Sequence, residues 1–148
     1  MLRQMIVGLV AGVALLVLDG VLNANPLARV LYAAYQPIAR QSVNALAGSA
    51  IDLAFGVVLA GLFSLLRRSL PGRSRLTKAV SFGLMVWFLR VCMRVAGEWV
   101  VTVVPAEVHA YTLAAGFVQV LIVAGIISFL LPEPHKTGTP QPATESDA

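Results

Sequence analysis

Asp19, Asp52, Arg90 and Arg94 are the residues of this chain whose chemistry asks for an explanation. Each sits inside an apolar stretch, where an ionised side chain is costly unless it is paired or serves a function. Arg90 and Arg94 are four apart, so a helix places them on one face, where they repel unless anions are near. Asp19 and Asp52 supply two anions, each able to take a bidentate guanidinium contact. Glu98 extends the arginine face by one turn, where it pairs with Arg94 or snorkels outward to water. Gln119 adds a neutral polar group to a fourth apolar stretch. Two aspartates against two arginines are formally neutral, and Glu98 adds a carboxylate that can titrate. Two chemistries fit these residues. One is a buried ion-pair network that fixes helix register. The other is a binding or conduction site for an ion, a proton or a small polar solute.

The elements that must position them are membrane spans. The 148 residues are 58% apolar and 12% charged, with a mean hydropathy of +0.83. A soluble domain carries about twice that charged fraction. A chain this short cannot hide so much apolar surface in a water-soluble core, so lipid must cover the excess. The spans read as 5–22, 45–66, 79–98 and 110–131, with the third ending between 98 and 104. About 20 residues at 1.5 Å each cross a hydrocarbon layer of about 30 Å. The rival reading of the first span is a cleaved signal peptide. It is the weaker one, because Leu22 stands where a small residue is wanted.

Orientation follows from the basic residues. Arg67, Arg68, Arg73, Arg75 and Lys78 make a loop with five positive charges and no negative one, the mark of a cytoplasmic loop. Four spans then place both termini in the cytoplasm, in agreement with Arg3. The first loop holds only Arg29 and Arg40 and falls on the opposite side. Within it, Pro26 is a helix start and Leu27, Val30, Leu31 and Ala34 recur at helical spacing. Residues 26–36 therefore read as a short helix on the outer surface, stopped by Pro37, with Tyr32 and Tyr35 in the headgroup zone. After Leu131 the chain turns Pro-rich and polar, which reads as a disordered cytoplasmic tail over 132–148.

Counted from the cytoplasmic ends of straight helices, Asp19 and Asp52 each lie roughly 21 Å deep. Arg90 and Gln119 lie roughly 18 Å deep and Arg94 roughly 24 Å. Every span thus contributes to one polar layer in the outer half of the membrane. Small residues accompany the charges: Gly8 and Gly12 form a GxxxG before Asp19, Gly56 and Ala60 follow Asp52, Gly83 precedes Arg90, and Gly116 precedes Gln119. Such residues let helix backbones approach closely, so the polar faces read as the packing faces.

Other chemistry is missing. No nucleophile motif, HExxH, P-loop or dinucleotide glycine fingerprint occurs, so the chain reads as non-enzymatic and without a cofactor. Glu107 and His109 read as a solvated loop rather than a metal pair, and His135 lies in the tail. Trp99 and Tyr111 read as interface anchors, and Trp87 as packing on lipid or a helix. Cys92 is the one cysteine, which excludes an internal disulfide or a CxxC motif. The net charge is +4 and the pI about 9.8, but the basic loop explains that balance without a nucleic-acid partner.

Short motifs carry a resemblance. Gly8-Leu-Val-Ala-Gly12 leads to Asp19-Gly20, a small-residue second span follows, then Leu70-Pro71-Gly72-Arg73 and Gly83-Leu-Met-Val-Trp87. Over residues 5–131 the chain resembles the uncharacterised bacterial four-helix integral membrane proteins of about this length. The resemblance implies an inner-membrane location and no particular activity. The expected fold is an all-α four-span bundle with a short interfacial helix. The leading functional reading is a non-enzymatic bundle held by its Asp/Arg layer, with the lipid bilayer and a homo-oligomer or larger membrane complex as partners. The alternatives are a small transporter or channel using the same residues, and an adaptor or regulatory subunit acting through the basic loop and the tail.

Overall fold

A computed structural model describes residues 2–37, 44–72 and 74–131. Arg40, Arg73 and the 132–148 tail, each given a role from the sequence, lie outside the described residues. The regular elements of the described chain are all helical: α1 (Leu2–Ala24), α2 (Pro26–Tyr32) running into a 3₁₀ turn (Ala33–Tyr35), α3 (Ala45–Leu66), α4 (Arg75–Trp87), a π-helical turn (Phe88–Cys92), α5 (Met93–Val101) and α6 (Ala106–Leu130). Four of these pieces are long and apolar enough to cross a membrane: α1, α3, the continuous Arg75–Val101 run and α6. Together with α2 they make an all-α membrane bundle with a short surface helix in the first loop.

Local signals set the helix ends. Asn25 caps α2, its Oδ1 accepting the Ala28 N–H at 2.9 Å, and Pro26 follows where its missing N–H costs nothing. Asn44 caps α3 in the same way through the Ala47 N–H at 3.0 Å. The third span begins at Arg75 rather than 79, because the Ser74 Oγ accepts the Thr77 N–H at 3.1 Å and nucleates a turn earlier. It ends at Val101. The fourth begins at Ala106 rather than 110, directly behind Pro105, whose φ of −57° is already helical. Gly72 takes a left-handed φ of +104° in the turn before α4, which a side chain would strain.

The helices assemble as two hairpins. α1 packs along α3, α4 packs along α6, and α1 against α6 joins the pairs. Glycines set the first contact. A Cβ on Gly8 would lie 2.5 Å from the Val57 Cα, and one on Gly12 would lie 2.6 Å from the Leu53 Cα. One on Gly56 would run into the α1 backbone at Gly8 and Gly12. In the second hairpin, a Cβ on Gly83 would meet the Leu121 Cδ2 at 2.7 Å, and one on Gly116 would meet both Val91 methyls at 2.9 Å. Ala60 is fully buried. α3 meets the third span through long side chains: Phe63 stacks edge-on to Phe82 at 5.1 Å, and Phe55 lies under Arg90.

The apolar core gathers at the basic-loop end, from Val7, Ala11 and Leu15 on α1, Leu59 and Phe63 on α3, Phe82 and Val86 on α4, and Val120, Val123 and Ile127 on α6. Ile6, Leu9, Val13, Leu62, Leu84, Ile122 and Phe129 point outward and are exposed in the isolated chain. An apolar belt of that extent belongs against lipid. Polar ties cross between helices at this end: Gln4 Nε2 to Ser64 Oγ at 2.6 Å, and Ser128 Oγ to the Arg75 carbonyl at 3.0 Å.

Candidate functional site

At the other end of the bundle the helices line a half-open cavity of about 410 Å³. α1 contributes Asp19, Leu22 and Asn23, and the surface helix with its 3₁₀ turn contributes Tyr32 and Tyr35. The π turn contributes Arg90 and Val91, α5 contributes Arg94, and α6 contributes Thr112, Ala115, Gly116 and Gln119. Four of the six polar residues singled out from the sequence therefore share one void. Of the other two, Glu98 stands behind Arg94. Asp52 is 8% exposed on α3, does not line the cavity, and acts on Arg90 through its charge.

The pairing inside this layer differs from the simplest expectation. Neither aspartate comes within ion-pair distance, 4.0 Å, of Arg90 or Arg94. Asp19 is held by Gln119 instead, whose Nε2 donates to Oδ1 at 2.7 Å and leans on the Leu15 carbonyl at 3.4 Å. Arg90 lies with its guanidinium carbon 4.0 Å from the centre of the Phe55 ring, a cation–π contact, and its buried Nη1 has no hydrogen-bond partner. Arg94 pairs with Glu98, Nε to Oε1 at 2.8 Å, one turn along α5. It is nevertheless 67% exposed.

The π turn explains why Arg90 and Arg94 part company. Met93 N–H donates to the Phe88 carbonyl five residues back, which widens the helix and changes the phase between the two arginines. Arg90 swings toward Phe55 while Arg94 stays in register with Glu98. Nothing in the apolar pattern marks this turn. π turns are frequent at functional sites, and here the turn carries a charged residue into a cavity.

The tyrosines of the first loop turn inward rather than sitting only among headgroups. Tyr35 donates its hydroxyl to Glu98 Oε2 at 3.1 Å, and Tyr32 lies 3.5 Å from the Thr112 hydroxyl and edge-on to Tyr111. The Tyr35 hydroxyl is pushed above its ordinary pKa of 10.0, first by burial and then by donating to the negative Glu98. Tyr111 donates to the Leu22 carbonyl at 2.5 Å and accepts from Asn25 at 2.7 Å. That clasp fixes the α1–α2 corner on α6 and so sets where the surface helix lies. Sequence reading missed Asn23, Tyr32, Tyr35 and Thr112 as lining residues. Their signal was present only as a run of hydroxyl and amide groups beside the polar layer.

His109 is also corrected. It is not solvated in a loop but sits in the first turns of α6, 3% exposed, with its ring 5.4 Å from that of Trp99 and neither nitrogen hydrogen-bonded. Glu107 beside it is exposed. Among the described residues no group of three His, Cys, Asp or Glu side chains could hold a metal ion. Trp87 packs on a helix, donating to the Leu113 carbonyl at 3.0 Å.

No curated protein and no solved structure matches the chain. One family model does, over residues 2–117, which takes in α1 to α5 and the half of α6 that holds Thr112 and Gly116 but stops short of Gln119. With that coverage the chain belongs to the family of unknown function DUF6789.

Proposed function

We propose that this membrane protein captures a small polar solute in the cavity at the surface-helix end of its bundle. One observation carries the reading: opposite charges, Asp19 and Arg90, face one void without pairing. A purely structural network would close such charges on one another, because an uncompensated charge in a low-dielectric site is costly. A volume of about 410 Å³ falls in the usual range of ligand pockets.

The same reading distinguishes capture from conduction. Leu15, Phe82, Val120 and Val123 pack into the buried core on the basic-loop side of the cavity, which favours capture over conduction. The protein acts as a non-enzymatic binding or carrier subunit, and passage across the membrane requires self-association or a larger complex. The positive loop of Arg67, Arg68, Arg73, Arg75 and Lys78 faces the cytoplasm, which turns the cavity outward and keeps both termini inside, as in a bacterial inner-membrane protein.

The test is thermal unfolding of the purified protein in detergent across a panel of small polar solutes. Ligand capture raises Tm in a concentration-dependent way, and Arg90→Gln removes the rise. A flat response across the panel, with Arg90→Gln and Asp19→Asn each strongly destabilised, supports the structural network instead.

A further inference from the structure

The charges of the cavity point to the chemical class of its occupant, an inference that rests on the capture reading above. Arg94 is already neutralised by Glu98 at 2.8 Å. That leaves one anion and one cation facing the void. Asp19 presents a carboxylate with only Oδ1 engaged, by Gln119. Arg90 presents a guanidinium propped on Phe55, with Asp52 behind it acting only through charge. The two are anchored on different helices, α1 and the π turn, and the group each one touches, Gln119 for Asp19 and Phe55 for Arg90, is neutral. They form an ion pair held open.

A simple anion would satisfy Arg90 and leave Asp19 without a counter-charge. A simple cation would do the reverse. A molecule with an ammonium at one end and an anionic group at the other satisfies both at once, and its own charges replace the water that would otherwise separate them. The guanidinium is suited to the planar or tetrahedral oxygens of a carboxylate or phosphate. The ammonium, a three-donor group, finds the Asp19 carboxylate, with the hydroxyls of Tyr32 and Thr112 also on the wall. We infer that the cavity binds a small zwitterion bearing an ammonium and a carboxylate or phosphate. This chemistry has two sources: a free solute of the amino-acid or phosphoethanolamine kind, or the headgroup of a zwitterionic lipid entering from the outer leaflet.

The experiment uses the full chain in detergent. Tm is measured with glycine, β-alanine and O-phosphoethanolamine, with acetate, inorganic phosphate and ethylammonium as single-charge controls, and with glycerol as a neutral one. At saturating concentration a zwitterion is expected to raise Tm by roughly 2–4 °C, with each single-charge ion well below it. Asp19→Asn, which keeps an oxygen for Gln119 and so spares the fold, abolishes the zwitterion shift. Arg90→Lys, which keeps the charge but loses the fork, weakens it. Equal shifts from an anion or cation alone overturn the zwitterion class while leaving solute capture standing. No shift from any solute in protein stripped of ethanolamine lipid overturns both. The sources separate in nanodiscs: if phosphatidylethanolamine discs show no further rise with free zwitterion while phosphatidylglycerol discs do, and the purified protein retains ethanolamine lipid that Asp19→Asn loses, the headgroup is the occupant. A rise in both kinds of disc identifies the free solute.

Discussion

The two ends of this bundle are built on opposite rules. At the basic-loop end, aromatic rings and aliphatic side chains interlock around Leu15, Phe82 and Ile127, and glycines bring α1 and α3 into backbone contact. At the surface-helix end α1, the π turn, α5 and α6 line a polar cavity with the surface helix, and an arginine nitrogen is left without a partner. Lipid removes the hydrophobic drive for helices to associate, so tight packing has to supply it. The packed end therefore carries the fold. The polar end holds an unpartnered buried nitrogen, and such local violations are characteristic of functional sites.

Substitutions break or sharpen this contrast in a definite order. Gly56→Val forces a branched side chain into the α1 backbone at Gly8 and Gly12, and is expected to cost roughly 3 kcal/mol or more, read as loss of the folded monomer in detergent. Phe82→Ala empties the ring pair with Phe63 and is expected to cost about 3 kcal/mol by thermal unfolding. Gln119→Leu, at the border between the two ends, removes the hydrogen bond to Asp19 and is expected to cost about 1 kcal/mol. In the polar half, Arg90→Met removes a charge with no hydrogen-bonded partner on Nη1, and stability is expected to stay level or rise by about 1 kcal/mol while solute binding is lost. A large loss of stability from Arg90→Met would erase the contrast.

The smallest effect is a pH dependence at the surface helix. The folded Tyr35 lies above its ordinary pKa of 10.0, so its bond to Glu98 contributes stability fully present below that value. The contribution is lost as pH rises through the raised value. A tyrosinate absorbance titration is expected to show one tyrosine ionising late, and Tyr35→Phe is expected to remove that late step. A Tyr35 that ionises with the exposed tyrosines would show that the surface helix is not latched at Glu98.

The sequence made the spans legible because long apolar runs have no other reading, and it made the polar layer legible because depth is simple arithmetic along a helix. Gly8, Gly12 and Gly56 were legible for a similar reason, since small residues at four-residue spacing have few uses in lipid. What it could not show was partner choice. Asp19 and Arg90 are complementary on paper, yet a π turn and a glutamine on α6 decide that they do not touch, and neither feature has a periodic signature. Tyr32 and Tyr35 were legible as interfacial residues, but their inward turn depends on the Asn25–Tyr111–Leu22 clasp, a long-range contact. His109 reads as loop because the apolar run of the fourth span begins at 110, whereas the helix itself starts at Ala106, directly behind Pro105.

The central claim is that the charged layer is kept for binding rather than for holding the helices together. Thermal unfolding of Asp19→Asn, Arg90→Gln and the double variant in detergent tests it most directly. Charges that do not touch give single variants of unchanged or higher stability, and effects that add in the double. Single losses of roughly 3–5 kcal/mol, rescued when both partners are removed, would instead reveal a buried ion pair and contradict the account.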